Sequence, residues 1–260
     1  MSLSLHAEWN RIRQAARRID IQAAVVVLAA ALLVILQMKW GDRGFFRTDI
    51  APLFDLEARG LGAWIWWFSV QGVLGFVIPV GILKFGFKAS WTDMGLGLGD
   101  YSFALKVTAV YLPLVLVGTW VLSDSSAFQS SYPHLREAGN DWNVFFIYEA
   151  FFLLYWIGWE YLWRGFVLFG TARAFGVMAI FIQAMPFAIM HFDKPFPEAL
   201  LSIVGGVALG ALVWRSKSFW IAVPIHAAQM IMLDFWCSLR GRTGATGLGL
   251  DALEHVLKGF

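Results

Sequence analysis

Four ionisable side chains stand inside long apolar stretches of this sequence. Glu160 and Arg164 lie in the run 142–170, and His191 and His226 lie in two later runs. Ionisable residues at membrane depth are costly, rarely face lipid and usually mark a functional site. A carboxylate and an imidazole that meet in such a site can take a proton from water as a general base. We therefore predict that Glu160, His191 and His226 converge around one polar cavity between three helices.

Each of these residues also allows a simpler interpretation. Glu160 and Arg164 are four residues apart, which places them on one face of a helix in the favoured order for an ion pair. That pair alone fits a structural role as well as a catalytic one. His191 ends its run and fits an interfacial histidine, whereas His226 lies within its run and needs a polar partner. The coincidence of the three groups favours a shared site.

The composition is that of a membrane protein. The chain has 260 residues, of which 59% are hydrophobic, against about 45–50% in a soluble domain. Its formal net charge is +2, and no basic tract indicates a nucleic-acid partner. The single cysteine, Cys237, cannot form an internal disulfide. The 14 Trp and 23 Phe residues suit aromatic belts at membrane interfaces.

Apolar runs long enough to cross a bilayer are spread along the chain. We predict an all-α, polytopic transmembrane helical bundle of about seven spans, at residues 21–38, 62–85, 103–122, 142–170, 175–190, 198–214 and 219–239. The first run is longer than a signal-peptide core, so we expect it to be retained. The sixth contains Gly206 and Gly210 at a spacing that lets another helix approach closely.

The spans divide the chain into four parts. Residues 1–20 form a polar, arginine-containing segment that suits a membrane interface. Residues 21–141 hold the N-terminal transmembrane helices and their loops. Residues 142–239 contain the candidate site and form the predicted catalytic core. Residues 240–260 are a C-terminal tail.

Motifs in the predicted core resemble a known family. Glu160 and Arg164 belong to a Glu-x-x-x-Arg-Gly sequence, and Phe187 and His191 to a Phe-x-x-x-His sequence. His226 follows Pro-Ile, after a glycine-rich span and a short basic turn. In this order and setting the motifs resemble the CPBP family, also called the type II CAAX prenyl endopeptidase or Abi family. The resemblance extends over about residues 142–235.

The resemblance implies an intramembrane glutamic-type endopeptidase with a CAAX-protease-like core. Glu160 and His191 would then activate a water that hydrolyses a peptide bond of a membrane-associated protein or peptide. His226 would stabilise the oxyanion, and Arg164 and Phe187 would support the site. The resemblance also implies an integral, multi-pass protein of the bacterial inner (plasma) membrane, with the lipid bilayer and no nucleic acid among its partners.

A cofactor is not expected from the family's better supported, metal-free mechanism, although members are often called metalloproteases. The alternative is Zn²⁺ bound through His191, His226 and Glu160, because two histidines and a glutamate can form a catalytic zinc site. The His-Glu-x-x-His spacing of many zinc proteases is absent from the sequence.

Two positions depart from the family's pattern. The first motif usually begins with two adjacent glutamates, and Trp159 stands where the first belongs. The third motif usually has an asparagine four residues after its histidine, and Met230 stands there. Gln229, on a neighbouring helical face, is an alternative donor. Asp234 is eight residues beyond His226 and is also expected to face the cavity.

These departures keep two other functions open. One is a catalytically inactive relative that binds a peptide, for example in immunity to a bacteriocin. The other is a proton-coupled transporter that uses Glu149, Glu160 and Asp234 as a relay. Transporters often contain internal repeats, and the sequence shows none, which lowers that interpretation.

Overall fold

The computed structural model describes residues 5–57 and 60–260. Residues 1–4 of the predicted interfacial segment, and residues 58 and 59 of the predicted N-terminal helical region, lie outside the described residues. Within the described ranges all regular structure is helical and no β-strand occurs. The predicted all-α bundle is confirmed.

The α-helices of the described residues differ widely in length. In chain order they are α1 (Leu5–Ala16), α2 (Ile21–Trp40), α3 (Arg43–Phe45), α4 (Leu61–Gly81), α5 (Tyr101–Ser123), α6 (Ser126–Ser131), α7 (Arg136–Asn140), α8 (Trp142–Glu160), α9 (Leu168–Phe175), α10 (Ala179–Ile189), α11 (Phe196–Ser216), α12 (Ala222–Thr243) and α13 (Leu250–Leu257). Wider π-helical turns occupy Phe46–Ile50, Ile82–Gly86 and Tyr161–Val167, and 3₁₀ turns occupy Ala51–Phe54, Gly176–Met178 and Phe219–Ile221.

Six helical stretches in the described ranges are long and apolar enough to cross a membrane. The chain is an integral, multi-pass membrane protein. The expected number was about seven. Six are found because the predicted fourth and fifth spans belong to one 48-residue stretch, Trp142–Ile189. This stretch runs through α8, a π-helical segment and α9, and then turns at Gly176, where φ is 55°, into the short helix α10.

Aspartates begin three of the apolar helices. Asp20 accepts a hydrogen bond from the backbone N–H of Ala23 at the start of α2, and Asp100 and Asp141 cap α5 and α8 in the same way. A carboxylate at this position satisfies an amide that has no partner within the helix and interacts favourably with the helix dipole. The helix starts therefore coincide with the polar boundaries of the apolar runs.

The core lies around α8, which packs against α4 and α12. Large side chains such as Phe68, Tyr148, Phe152 and Leu162 are buried there. The outer face of α5 is different, because Leu105, Val110, Leu114, Val117 and Val121 are all exposed. An apolar surface of this extent suits contact with lipid chains rather than water.

The predicted close approach at Gly206 and Gly210 of α11 is present. A Cβ on Gly206 would lie 3.0 Å from the Phe187 ring of α10, and one on Gly210 would collide with the Gln183 side chain. Gln183 uses this space to donate a hydrogen bond to the Gly206 carbonyl oxygen at 2.9 Å. The small residues therefore hold α10, and with it Phe187, tightly against α11.

The last predicted span continues beyond its expected end at residue 239. Helix α12 extends to Thr243 and includes Arg240, which is 1% exposed. Its guanidinium donates to the Ser123 hydroxyl, the Asp124 carboxylate and the carbonyl oxygens of Ala245 and Gly247. Because all of these partners are supplied by the fold, this charged residue continues the helix instead of ending it.

Candidate active site

Glu160 and Arg164 lie at the junction of α8 and the π-helical segment that follows it. Both side chains are fully buried, and Arg164 Nη1 donates to Glu160 Oε1 at 3.1 Å, as the spacing predicted. Short π-helical turns often occur at functional sites. Gly165 suits this turn, because a Cβ there would collide with the Tyr161 ring.

His226 reaches Glu160 from the neighbouring helix α12. Its Nδ1 lies 2.5 Å from Glu160 Oε1, the same oxygen that accepts from Arg164. The imidazole also packs against the Trp156 ring, with 4.1 Å between the ring centroids. A carboxylate can only accept, so Nδ1 carries the proton when Glu160 is ionised. His226 Nε2 is then left for a ligand or water.

His191 stands in the turn just after α10 and is half-buried. Its Nδ1 donates to the Phe187 carbonyl oxygen at 2.7 Å, since a carbonyl cannot donate. The pKa of His191 is lowered to about 4, chiefly by burial and to a lesser extent by nearby positive groups, while the hydrogen bond to Phe187 acts in the opposite direction. The imidazole is therefore neutral at pH 7, and its Nε2 has a free lone pair that can accept a proton.

Phe187 connects the two motifs through its ring. The ring lies 4.5 Å from the His191 ring and 5.8 Å from the His226 ring, measured between centroids. The Arg164 guanidinium carbon lies 3.9 Å from the same ring's centroid, within range of a cation–π interaction. Phe187 thus fixes both histidines and the arginine relative to one another.

Two cavities meet at the histidines. The first, which we call the apolar cavity, has a volume of about 180 Å³ and lies between α5, α11 and α12. The second, the polar cavity, has a volume of about 660 Å³ and is bounded by α4, the loop before α8 and the turn after α10. Both cavities are lined by His191, Glu198, His226 and Met230. Glu160 lines neither of them and lies behind His226.

A second group of polar residues, not predicted from the sequence, lies at the polar cavity, which His134, Lys194 and Glu198 line. Tyr132 donates to the Glu198 carboxylate at 2.7 Å, and Lys194 donates to the Tyr132 hydroxyl at 3.2 Å and to His134 Nε2 at 2.9 Å. His134 lies between the predicted third and fourth spans and belongs to none of the motifs found in the sequence. The one available signal was that Lys194 follows His191 by three residues, in a turn closed by a backbone hydrogen bond of 3.1 Å.

Residues 141–232 match the family model described as type II CAAX prenyl endopeptidase Rce1-like. The matched stretch is about a third of the chain and contains Glu160, His191 and His226. This part of the chain is thus similar to the CAAX protease family. No curated protein and no solved structure matches it. The family is one of membrane endopeptidases, in agreement with the resemblance found in the sequence.

Within the matched stretch, the two residues that depart from the family's pattern, Trp159 and Met230, both face the polar cavity. Trp159 is 6% exposed and lines it, with its ring 6.4 Å from the His191 ring between centroids. An acidic side chain at this position would lie beside His191. Met230 is 4% exposed and contributes only an apolar surface to both cavities.

Gln229 and Asp234, the two polar residues of α12 that were expected near the site, are arranged differently. Gln229 lines the apolar cavity, where its Oε1 accepts from the Tyr111 hydroxyl at 3.2 Å. The expectation that Asp234 faces the cavity is wrong, because Asp234 is fully buried and lines neither cavity. Eight residues along an α-helix correspond to a rotation of about 80° away from His226, which turns Asp234 towards α8.

Asp234 lies within hydrogen-bonding reach of Glu149 on α8. Among the described residues no donor side chain or backbone amide reaches the four carboxyl oxygens of this pair. Glu149 is eleven residues before Glu160, about 16 Å along a helix. The relay that a transporter would need is therefore interrupted between Glu149 and Glu160.

Glu160, His191 and His226 are not gathered into a group of three metal ligands in the described part of the chain. Among the described residues no cluster of three or more His, Cys, Asp or Glu side chains is placed to hold a metal ion. His226 Nδ1 and Arg164 both contact Glu160 Oε1, and the Phe187 carbonyl occupies His191 Nδ1. We therefore derive no reaction step through a metal.

Proposed function

We propose that this protein is an intramembrane glutamic-type endopeptidase in which His191 activates a water molecule and Glu160 supports the reaction through His226. One observation carries the proposal: His191 and His226 form the common wall of an apolar and a polar cavity. A substrate attached to the membrane needs both environments, one for its lipid-like part and one for its peptide. The bond to be cut then lies at the two imidazoles.

His191 Nε2 accepts a proton from the water, whose oxygen attacks the carbonyl carbon of the peptide bond. His226 donates from Nε2 to the oxyanion of the tetrahedral intermediate. The intermediate then collapses with cleavage of the C–N bond, and the proton passes from His191 to the leaving amine. Preorganised donors of this kind act where charge develops in the transition state.

Glu160 acts through His226 in this scheme, because it lines neither cavity. Its carboxylate accepts from His226 Nδ1, and the doubly protonated ring keeps this hydrogen bond while its Nε2–H donates to the oxyanion. Arg164 orients the carboxylate through Oε1. The family resemblance implies direct contact between Glu160 and the water, and the geometry supports an indirect role instead.

The substrate that we propose is a membrane-associated peptide or protein with a prenyl group near its C-terminus, as the family's description suggests. The apolar cavity is lined in part by α5 and α11, whose outer faces are apolar, and we propose that a lipid-like group enters it between these helices. We further propose that this bilayer is the inner membrane of a bacterium, which fractionation of cells expressing the protein tests.

Cleavage of prenylated peptides by the full chain in lipid nanodiscs tests the proposed activity. We expect the parent protein to cut and His191→Ala to lose about 10²–10⁴ in rate, the usual contribution of a general base. His255→Ala is the matched control, because His255 is exposed on α13. Chelation of metals should leave the rate unchanged. Equal rates for His191→Ala and the parent would contradict the proposal.

Trp159 favours one second candidate, an inactive relative that binds peptide without cutting it. Its indole occupies the place beside His191 where the family usually has its first glutamate. If the parent is a weak enzyme, Trp159→Glu should raise its rate by supplying a carboxylate next to His191. If the parent cuts nothing and Trp159→Glu does, binding is the better description of the natural protein.

A further inference from the structure

We propose that Arg43 and Lys194 bind the C-terminal carboxylate of the peptide in the polar cavity. The inference rests on the proposed function, which puts a peptide in this cavity, and it adds the feature by which the protein selects a free chain end. Both cations line the polar cavity, and neither lines the apolar cavity.

Arg43 is held in place by aromatic rings rather than by an acid. Its guanidinium carbon lies 3.8 Å from the centroid of the Trp64 ring and 5.8 Å from that of Trp67. Within residues 5–57 and 60–260, no carboxylate lies within 4.0 Å of its nitrogens. A half-buried guanidinium that is stacked but unpaired presents its donors to whatever enters the cavity, and its planar fork matches a carboxylate.

Lys194 is fixed by neutral partners. Two of its three N–H groups donate to the Tyr132 hydroxyl and to His134 Nε2. In the part of the chain that the structure describes, no carboxylate lies within 4.0 Å of its ammonium. One donor and the full positive charge therefore remain for an anion.

His134 and Trp64 connect the two cations through a series of contacts, since Lys194 donates to His134 and Arg43 lies over the Trp64 ring. The Trp64 ring stacks on the His134 ring at 5.9 Å, with 8° between the planes. Burial, followed by the charges of Lys194 and Arg43 among others, lowers the pKa of His134 to about 3. His134 is therefore neutral at pH 7 and accepts from Lys194 without adding charge of its own.

Acidic residues on the same cavity do not cancel this site. Asp42 caps α3 by accepting from the Phe45 amide, and Glu198 accepts from the Tyr132 hydroxyl. Asp193 is exposed next to Lys194 without forming an ion pair to it within 4.0 Å. None of these three acids forms an ion pair with Arg43 or Lys194 among the described residues, so both cations keep donors for an anion.

The turn between His191 and Lys194 sets the distance from the carboxylate to the bond that is cut. Lys194 N–H donates to the His191 carbonyl oxygen at 3.1 Å, so the two residues are held one turn apart. An extended peptide covers about 3.3–3.6 Å per residue. A carboxylate at Lys194 therefore places a bond only a few residues upstream at His191, and the released product is a short C-terminal peptide.

Peptide binding to the Glu160→Gln protein in phosphatidylcholine nanodiscs tests the proposal without requiring cleavage. Two fluorescent prenylated peptides are compared, identical except that one ends in a carboxylate and the other in an amide. We expect about tenfold tighter binding of the carboxylate peptide, as for charge-assisted contacts. Lys194→Gln and Arg43→Gln should bring the ratio of the two affinities towards one, and Lys194→Arg should preserve much of it.

Arg47→Gln is the matched control, because Arg47 is an exposed cation four residues from Arg43 and lies outside the cavity lining. It should leave the ratio unchanged. A ratio of one in the parent background overturns the proposal whether or not any variant folds. If the two Gln variants lose affinity for phosphatidylglycerol vesicles but keep the peptide ratio, the anion is a lipid phosphate and the carboxylate assignment is wrong.

The same pair of measurements separates this proposal from the proposed function. A parent protein that cuts both peptides equally well, and binds them equally, retains its activity and lacks the carboxylate site. A protein that never cuts but discriminates between the two peptides has the site and lacks the activity.

Discussion

Helix α8 contains two buried glutamates, and α12 offers them different partners. Glu160 is 0% exposed, and its Oε1 contacts His226 of α12 and Arg164 one turn later. Glu149 is 7% exposed and lies against Asp234 of α12. For Glu149 and Asp234, no ion pair within 4.0 Å occurs in the described ranges.

The difference teaches what makes a buried carboxylate chemically useful. Two carboxyl groups can form a hydrogen bond only if at least one of them keeps a proton. In that form Glu149 and Asp234 are partners of each other and, among the described residues, connect to no group that lines a cavity. Glu160 is instead connected to an imidazole that lines both cavities. Burial is common to both glutamates. The cation and the route through His226 to the cavities distinguish Glu160.

The largest expected effect is a contrast between matched substitutions of these two glutamates. Glu160→Gln should lower kcat by about 10²–10³, because the neutral amide removes the negative charge that supports His226 while it donates to the oxyanion. Glu149→Gln should keep kcat within a few-fold of the parent. Cleavage rates in nanodiscs, with thermal melting as the check on folding, measure both. Equal losses in the two variants would show that the distinction drawn between the glutamates is wrong.

Much of the Glu160 region could be predicted from the sequence. The spacing of Glu160 and Arg164 defines their pairing through local helix geometry, and polar groups in apolar runs have few places to go except towards one another. The placement of His191 and His226 at one site follows from that argument. The all-α bundle follows from the apolar runs in the same way.

Other features depend on packing that a local pattern does not encode. The orientation of Asp234 is determined by its angular position on α12. A small error in that angle is enough to place the side chain in the cavity instead of the core. Tyr132 and His134 approach Lys194 from a loop about 60 residues away, as the sequence separations of their contacts show. The joined fourth and fifth spans result from a turn at Gly176, where a single residue changes direction without a polar loop.

The second expected effect concerns Arg164, the cation that pairs with Glu160 and by which Glu160 differs from Glu149. Arg164→Lys keeps the charge, but one ammonium cannot both donate to Glu160 and cover the Phe187 ring as the planar guanidinium does. We expect about a tenfold lower kcat and a lower melting temperature. Arg173→Lys is the control, because its pair with Asp20 is largely exposed and should matter little. An unchanged kcat in Arg164→Lys would remove Arg164 from the site.

The third expected effect is a pH profile that identifies the base. His191 must be neutral to accept a proton, and burial lowers its pKa to about 4. The value of kcat/KM should therefore be flat near neutral pH, fall to about half near pH 4 and decline about tenfold per pH unit below that. Melting at each pH separates this loss from unfolding. A fall centred near pH 6.5, the ordinary value for histidine, would indicate a base that is exposed to water.

The smallest expected effect is on stability at the Glu149–Asp234 pair. In Glu149→Gln the amide N–H₂ donates to Asp234, so it replaces the hydrogen bond that the carboxyl proton makes, and unfolding should change by less than about 1 kcal/mol. Glu149→Leu removes the partner altogether and leaves Asp234 buried without a hydrogen bond, which typically costs about 1–3 kcal/mol or more. Melting of the two variants in the same detergent gives the comparison directly. If Glu149→Leu is as stable as Glu149→Gln, Asp234 is not held by Glu149. The Glu149–Asp234 pair is then not what distinguishes the region around Glu149 from the region around Glu160.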